Sequence, residues 1–193
     1  MLCTLFAAFC LFQPPDGWEL SNPKTPSQHS ICGFLDTSRS GFCPSLHLTY
    51  EKTSCSIEKY LEVVSNTAKS KRQKWRRMGT VKTQSGLAHL AEIEVCHSLG
   101  KVCLLQAILP ADGEVHILTA GALKRDLAKC APIFHKAFQS MRVIEDLIPL
   151  SRNPDELYSS WQKREEDPES YSKAVMKENA LGAVYQIQLM RFK

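Results

Sequence analysis

"LAHLAEIEVCHSLGKVCLLQAILPADGEVHILTA" (residues 87–120) decides the fold. Three runs rich in Val, Ile, Leu and Ala are separated by two pieces of turn chemistry, Leu99-Gly100 and Asp112-Gly113-Glu114. Runs of this length and composition, punctuated by glycine, read as strands joined by tight turns. Pairing Ser98 with Lys101 closes a two-residue hairpin. That register sets Cys96 opposite Cys103 and Val95 opposite Leu104. Upstream, "WRRMGTVKT" (residues 75–83) adds a polar strand ended by "QSG". The whole is an antiparallel meander.

Outward from the meander the period changes on both sides. In residues 53–74, Ile57, Tyr60, Leu61, Val64 and Ala68 fall on one helical face, with Ser54 or Ser56 placed to cap its start. Residues 121–140 repeat the pattern through Leu123, Leu127, Cys130 or Ala131, Phe134 and Phe138. Pro132 inside that stretch predicts a kink or an early break. "MRVIED" (residues 141–146) reads as a short closing strand. Toward the N-terminus, "ICGFL" (residues 31–35) and "SLHLTYE" (residues 45–51) read as strands around the loop "DTSRSGFCP". "SNPKTPSQHS" (residues 21–30) reads as a polar loop.

The first residues pose a choice. The apolar run 2–12 ends in "QPPDGW". No Lys or Arg precedes it and no small-x-small cleavage site follows, so it lacks two parts of an export signal. The expectation is a strand over residues 5–12, stopped by Pro14-Pro15, which donate no backbone hydrogen bond. Asp16-Gly17 then supplies the turn and Trp18 packs on the core. A cytoplasmic protein follows, the alternative being an exported or periplasmic one if the run is a truncated signal. The eight cysteines fit reduced, partly buried thiols in that compartment. After Pro149 the chain turns polar and helix-prone, with Pro154 and Pro168 as punctuation, and ends apolar over residues 180–192.

The chain has 193 residues, is 44% hydrophobic and carries a net charge of +4. That length supports one core plus an appendage. The mild basic excess does not by itself imply nucleic acid. No apolar run reaches the roughly 20 residues a membrane-spanning helix needs.

Three local stretches carry a family resemblance: "FQPPDGWEL" (residues 12–20), "TVKTQSGLAHLAEIEV" (residues 80–95) and "FHKAFQSMRV" (residues 134–143). They resemble, in turn, the proline-glycine-tryptophan corner, the strand-Gly turn-strand and the final helix-to-strand passage of the Mog/PsbP-like fold, and within it the bacterial DcrB-type domains. The resemblance covers about residues 2–147 and implies an antiparallel β-sheet layered with helices in an αβα arrangement. The expected organisation is an α+β domain over residues 2–148 and a helical C-terminal extension over residues 149–193. The family has no shared catalytic site, and its members bind other macromolecules. The resemblance therefore implies a non-catalytic accessory, adaptor or chaperone-like protein with another protein as partner and no cofactor.

Several groups of side chains offer candidate chemistry. His29, Cys32, Cys43 and His47 have zinc-like spacing, yet Cys32 and His47 fall in strands whose alternation sends them to opposite faces. Cys96 and His97 are sequence neighbours on a strand and so point apart. Glu92 and Glu94 share one face, read as exposed and polar. Lys69, Lys71, Arg72, Lys74, Trp75, Arg76 and Arg77 form a basic run with an indole, the pattern that grips phosphates and stacks on an unpaired base. This is the alternative function. The same cations also suit a helix end and an edge strand. In the extension, Tyr158, Trp161, Tyr171 and Tyr185 are the expected partner-binding aromatics, by helix-in-groove packing. No phosphate-cradling glycine loop, GxSxG elbow or HExxH motif occurs.

Overall fold

The computed structural model describes residues 9–21 and 30–144. The elements run β1 (Phe9–Leu11), β2 (Glu19–Ser21), β3 (Ser30–Leu35), β4 (Ser45–Lys52), α1 (Ile57–Ser70), β5 (Lys74–Thr83), β6 (Gly86–His97), β7 (Gly100–Ala111), β8 (Glu114–Leu123), α2 (Leu127–Gln139) and β9 (Arg142–Ile144). Seven strands form one sheet in the order β2-β3-β4-β8-β7-β6-β5, each pair antiparallel. α2 covers one face and α1 the other, which gives the α+β, αβα layering expected from the sequence.

The central position goes to β8, where every residue except Thr119 is buried. A strand covered on both faces needs a continuous apolar run, and "VHILTAGAL" supplies one. The main core lies between the sheet and α2. Leu46, Leu48, Ala107, Leu109, Leu118 and Ala120 meet Phe134, Ala137 and Phe138 there. The smaller core lies under α1, where Tyr60 and Leu61 pack on Ile108, Val115 and Ile117. The Ser56 hydroxyl accepts from the Lys59 N–H and caps α1. At the β5 edge the pairing with β6 shifts register between Arg77 and Gly79, whose φ of 97° only glycine adopts readily.

Four expectations need correction. β1 does not join the large sheet. It pairs with β9 in a two-stranded ribbon over the α2 side, with Cys10, Leu11 and Phe12 buried in the main core. The first-strand residues 5–8 lie outside the described residues. Residues 121–123 continue β8 rather than opening a helix, so Leu123 is a strand residue buried opposite Val102. α2 then runs through Pro132 without a break. Proline there removes one N–H, on an exposed face one turn past the helix start.

The fourth correction concerns the hairpin register. The observed loop is Ser98-Leu99, flanked by His97 and Gly100. The His97 Nδ1 accepts from the Leu99 N–H at 3.1 Å and closes the turn. Gly100 re-enters the strand at φ 125°. Cys96 therefore faces Lys101 and Cys103 faces Glu94. The two cysteines are not partners: Cys96 is exposed and Cys103 buried, each a free thiol.

The 149–193 extension lies outside the described residues. No helix among those described is long and apolar enough to cross a membrane.

Candidate functional site

The corner after β1 builds a groove. Pro14-Pro15 end the strand pairing, Gly17 turns at φ 77°, and the Trp18 N–H closes the corner on the Pro15 carbonyl at 3.3 Å. The Gln13 N–H donates to Ser140 Oγ at 2.8 Å, which ties the corner to the end of α2. The Trp18 indole meets Phe134 edge-on, 6.3 Å between centroids and at 90°. This geometry favours an aromatic pair and leaves the outer part of the indole available. Between corner and helix lies a groove of about 240 Å³ lined by Gln13, Pro14, Pro15, Asp16, Trp18, Ile133, Lys136 and Ala137. Its walls are mainly apolar, with one acid and one base among them.

The basic run is pulled apart by the fold. Arg77 forks onto Glu58, with its Nη1 and Nη2 at 2.8 and 3.0 Å from the two carboxylate oxygens. That hydrogen bonding holds the Glu58 carboxyl below its ordinary range. Arg76 pairs with Glu92 at 3.1 Å. Trp75 turns inward against the α1 cluster, and its buried Nε1 has no hydrogen-bond partner among the described residues. The half-buried indole thus packs against that cluster rather than lying open among the cations. Lys69, Lys71, Arg72 and Lys74 remain exposed around the α1–β5 turn.

The zinc-like set is not assembled. Cys32 pairs with Leu48 on the α2 face, whereas His47 lies on the α1 face, beside Gly33. Burial pushes the Cys32 thiol far above its usual range, away from the thiolate a metal needs. Burial also lowers the His47 imidazole. His47 seats over the Gly33 backbone so closely that a Cβ there would come 2.5 Å from its Cε1. Cys43 Sγ points to the Arg39 carbonyl at 3.7 Å, and His29 lies outside the described residues. Among the described residues no group of three or more His, Cys, Asp or Glu side chains converges on a metal position.

Glu92 and Glu94 are half-buried rather than exposed, and both are paired. Glu94 takes Lys124 on one oxygen and Lys101, at 3.2 Å, on the other. Hydrogen bonds from Lys124 and Lys101 pull its carboxyl down to about 2. A depressed folded-state carboxylate stabilises the fold above its ordinary pKa and loses that contribution as pH falls through the folded value. The Glu94 contribution is therefore expected to disappear between about pH 4.5 and 2. A carboxyl-carbon NMR titration checks this. Lys124→Met is expected to move the Glu94 midpoint upward, and an unmoved midpoint would contradict the pairing.

Sequence reading missed one buried polar pair. Glu114 and His116, two apart on β8, are 5% and 0% exposed. His116 Nε2 lies 3.0 Å from Glu114 Oε1, off the alignment of a good hydrogen bond. A His and a Glu at strand spacing inside an otherwise apolar run were the available signal.

The sheet order, the paired corner and α2, and the Ser85–Val143 bonds joining the β5–β6 turn to β9 complete the architecture. Solved structures resemble the overall fold. LpqN, involved in cell envelope biogenesis of Mycobacterium tuberculosis, matches with a TM-score of 0.52 at 15% identity, over 71% of this chain and 84% of that one. CyanoP, the cyanobacterial PsbP of Synechocystis sp. PCC 6803, matches with a TM-score of 0.50 at 10% identity, over 75% and 98%. The chain has the Mog/PsbP-like fold. A third such structure, PA94 of Pseudomonas aeruginosa, is a protein of unknown function (TM-score 0.50, 15% identity, 68% and 94%). No family model and no curated protein matches the chain. DcrB-type kinship stays a resemblance of sequence. On this Mog/PsbP-like frame the "PPDGW" corner is a wall of the groove as well as the stop of a strand.

Proposed function

We propose that this chain is a non-catalytic accessory, adaptor or chaperone-like protein that binds another protein through the groove between the "PPDGW" corner and α2. The fold hosts many roles, and the groove is what supports this one. At about 240 Å³ the groove is smaller than the roughly 300–1,000 Å³ of pockets that enclose drug-sized ligands. It suits one or two side chains of a peptide. A half-exposed indole and two prolines give rigid apolar contact at little entropic cost, and Asp16 and Lys136 supply polar contacts at its walls. The extension aromatics Tyr158, Trp161, Tyr171 and Tyr185 are proposed as further partner contacts. The cytoplasm is the proposed compartment, to be tested by fractionation.

Affinity purification of the full chain from its native cells tests the reading. Trp18→Ala and Ile133→Glu are each expected to lower recovery of a specific partner at least tenfold while the fold persists by circular dichroism. Recovery unchanged by both variants overturns the groove. Salt-dependent retention of single-stranded nucleic acid, lost on changing Lys69, Lys71, Arg72 and Lys74 to Glu, would instead support the nucleic-acid alternative.

A further inference from the structure

We infer that the groove takes a proline-bearing segment of a partner protein in the polyproline II conformation, with a basic residue beside the prolines. This rests on the reading of the groove as a protein-binding site and names the chemistry of its occupant. The first observation is what the walls withhold. A strand added to a sheet needs an edge of free backbone donors and acceptors. Here Pro14 and Pro15 have no N–H, the Gln13 N–H is bound to Ser140 Oγ, and the Trp18 N–H to the Pro15 carbonyl. The α2 wall spends its backbone groups inside the helix. A docked helix brings anchors at i, i+3, i+4 and i+7, spread over about 10 Å. That is more than a groove of about 240 Å³ accepts. A phosphate or carboxylate would meet Asp16 as well as Lys136.

The second observation is what the walls offer. The Trp18 indole, braced edge-on by Phe134, lines the groove with Pro15 and Ile133, and all three wall residues are half-buried. Proline rings pack on such aromatic and apolar surface. Their fixed φ means that little chain entropy is lost on docking. A polyproline II chain has three residues per turn and rises about 3.1 Å per residue, so prolines at i and i+3 share a face about 9 Å apart. Each turn thus presents one ring, which matches the small groove. Such a chain makes no internal hydrogen bonds, and its carbonyls need donors. The groove supplies three side-chain donors that no described residue engages: Gln13 Nε2, Trp18 Nε1 and Lys136 Nζ. Asp16 is exposed and has no cation partner among the described residues, so it favours a base beside the prolines.

The test titrates the nitrogen-labelled full chain with a blocked decaproline peptide ending in arginine, which is polyproline II in every register. The Trp18 indole N–H resonance, assigned by its loss in Trp18→Phe, is expected to move and saturate. Trp18→Phe keeps an aromatic ring but lacks the donor, and is expected to weaken binding about tenfold. Ile133→Glu is expected to abolish it while the fold persists by circular dichroism. An alanine-glutamine peptide of the same length and charge is expected to bind at least tenfold more weakly. Decaproline ending in glutamate is expected to bind about threefold more weakly at low salt. A Trp18 resonance unmoved by decaproline at millimolar concentration, or equal binding of the alanine-glutamine peptide, overturns the polyproline occupant. Equal affinity of the arginine and glutamate peptides overturns the basic neighbour. If the partner is still recovered through Trp18 and Ile133 in that event, only this inference fails. If partner recovery is indifferent to both residues as well, the groove reading fails with it.

Discussion

Phe12→Ala is expected to lower the unfolding free energy by about 3–5 kcal/mol, the usual cost of emptying a fully buried aromatic site. Phe12 is 0% exposed and meets Phe34 edge-on, with centroids 5.8 Å apart. It is the hinge between the β1–β9 ribbon and the corner that walls the groove. Relaxation into the void is restricted, because Pro14-Pro15 fix the chain on one side and β1–β9 pairing fixes it on the other. The loss lies beyond that of a surface change and is a large part of the 5–15 kcal/mol that holds a typical domain together. Denaturant unfolding of the full chain measures it. Deleting residues 1–12 removes Cys10 and Leu11 from the core as well and is expected to leave no cooperative transition. A soluble, fully cooperative remainder would show that the stretch is dispensable to the fold.

The second large effect concerns Glu114 and His116. Removing one member of the pair leaves the other buried and polar, at a cost of about 1–3 kcal/mol. Glu114→Ala alone, or His116→Ala alone, is expected to fall in that range. His116 is surrounded by the strand neighbours Tyr50 and Leu109, so the double change Glu114→Met/His116→Leu replaces the pair by apolar side chains of similar size. Such replacements are commonly neutral or stabilising by about 1–4 kcal/mol. The expected signature is a Glu114→Met/His116→Leu variant more stable than either single alanine variant. Single variants each costing under about 1 kcal/mol would contradict this cost of leaving one group alone.

Much of the architecture is legible where one residue period dominates. Ser45–Lys52, the helix capped by Ser56, and the β5 to β8 meander announce themselves by alternation or by helical spacing. The misreadings occur where a tertiary contact outweighs the local pattern. Residues 121–123 are compatible with a helix, but opposite Ser45 and Leu104 there is room for little more than glycine at 121, and the strand continues. The β6–β7 register is set by the His97 ring, which closes the turn one residue earlier than glycine placement suggests. β1 left the large sheet because its partner is β9, a pairing that no local periodicity records.

The site divides in the same way. "PPDGW" is recognisable as a corner, whereas the other wall, Ile133 and Lys136, lies far along the chain and becomes a neighbour only through the fold. Trp75 shows the converse. Its position among cations suggests a stacking surface, and strand alternation instead turns it under α1. Charge runs mislead for a related reason. Arg76 and Arg77 find carboxylates on β6 and α1 that sequence proximity does not reveal.

The groove can be put to a direct test by crosslinking in living cells. A photo-crosslinker is placed at Ile133 in one full-length chain and at Lys82, on exposed strand β5, in another. A binding groove predicts discrete adducts with a specific protein from Ile133, abolished by Trp18→Ala and absent from Lys82. Equal adduct patterns from both positions, or a pattern indifferent to Trp18, would contradict it.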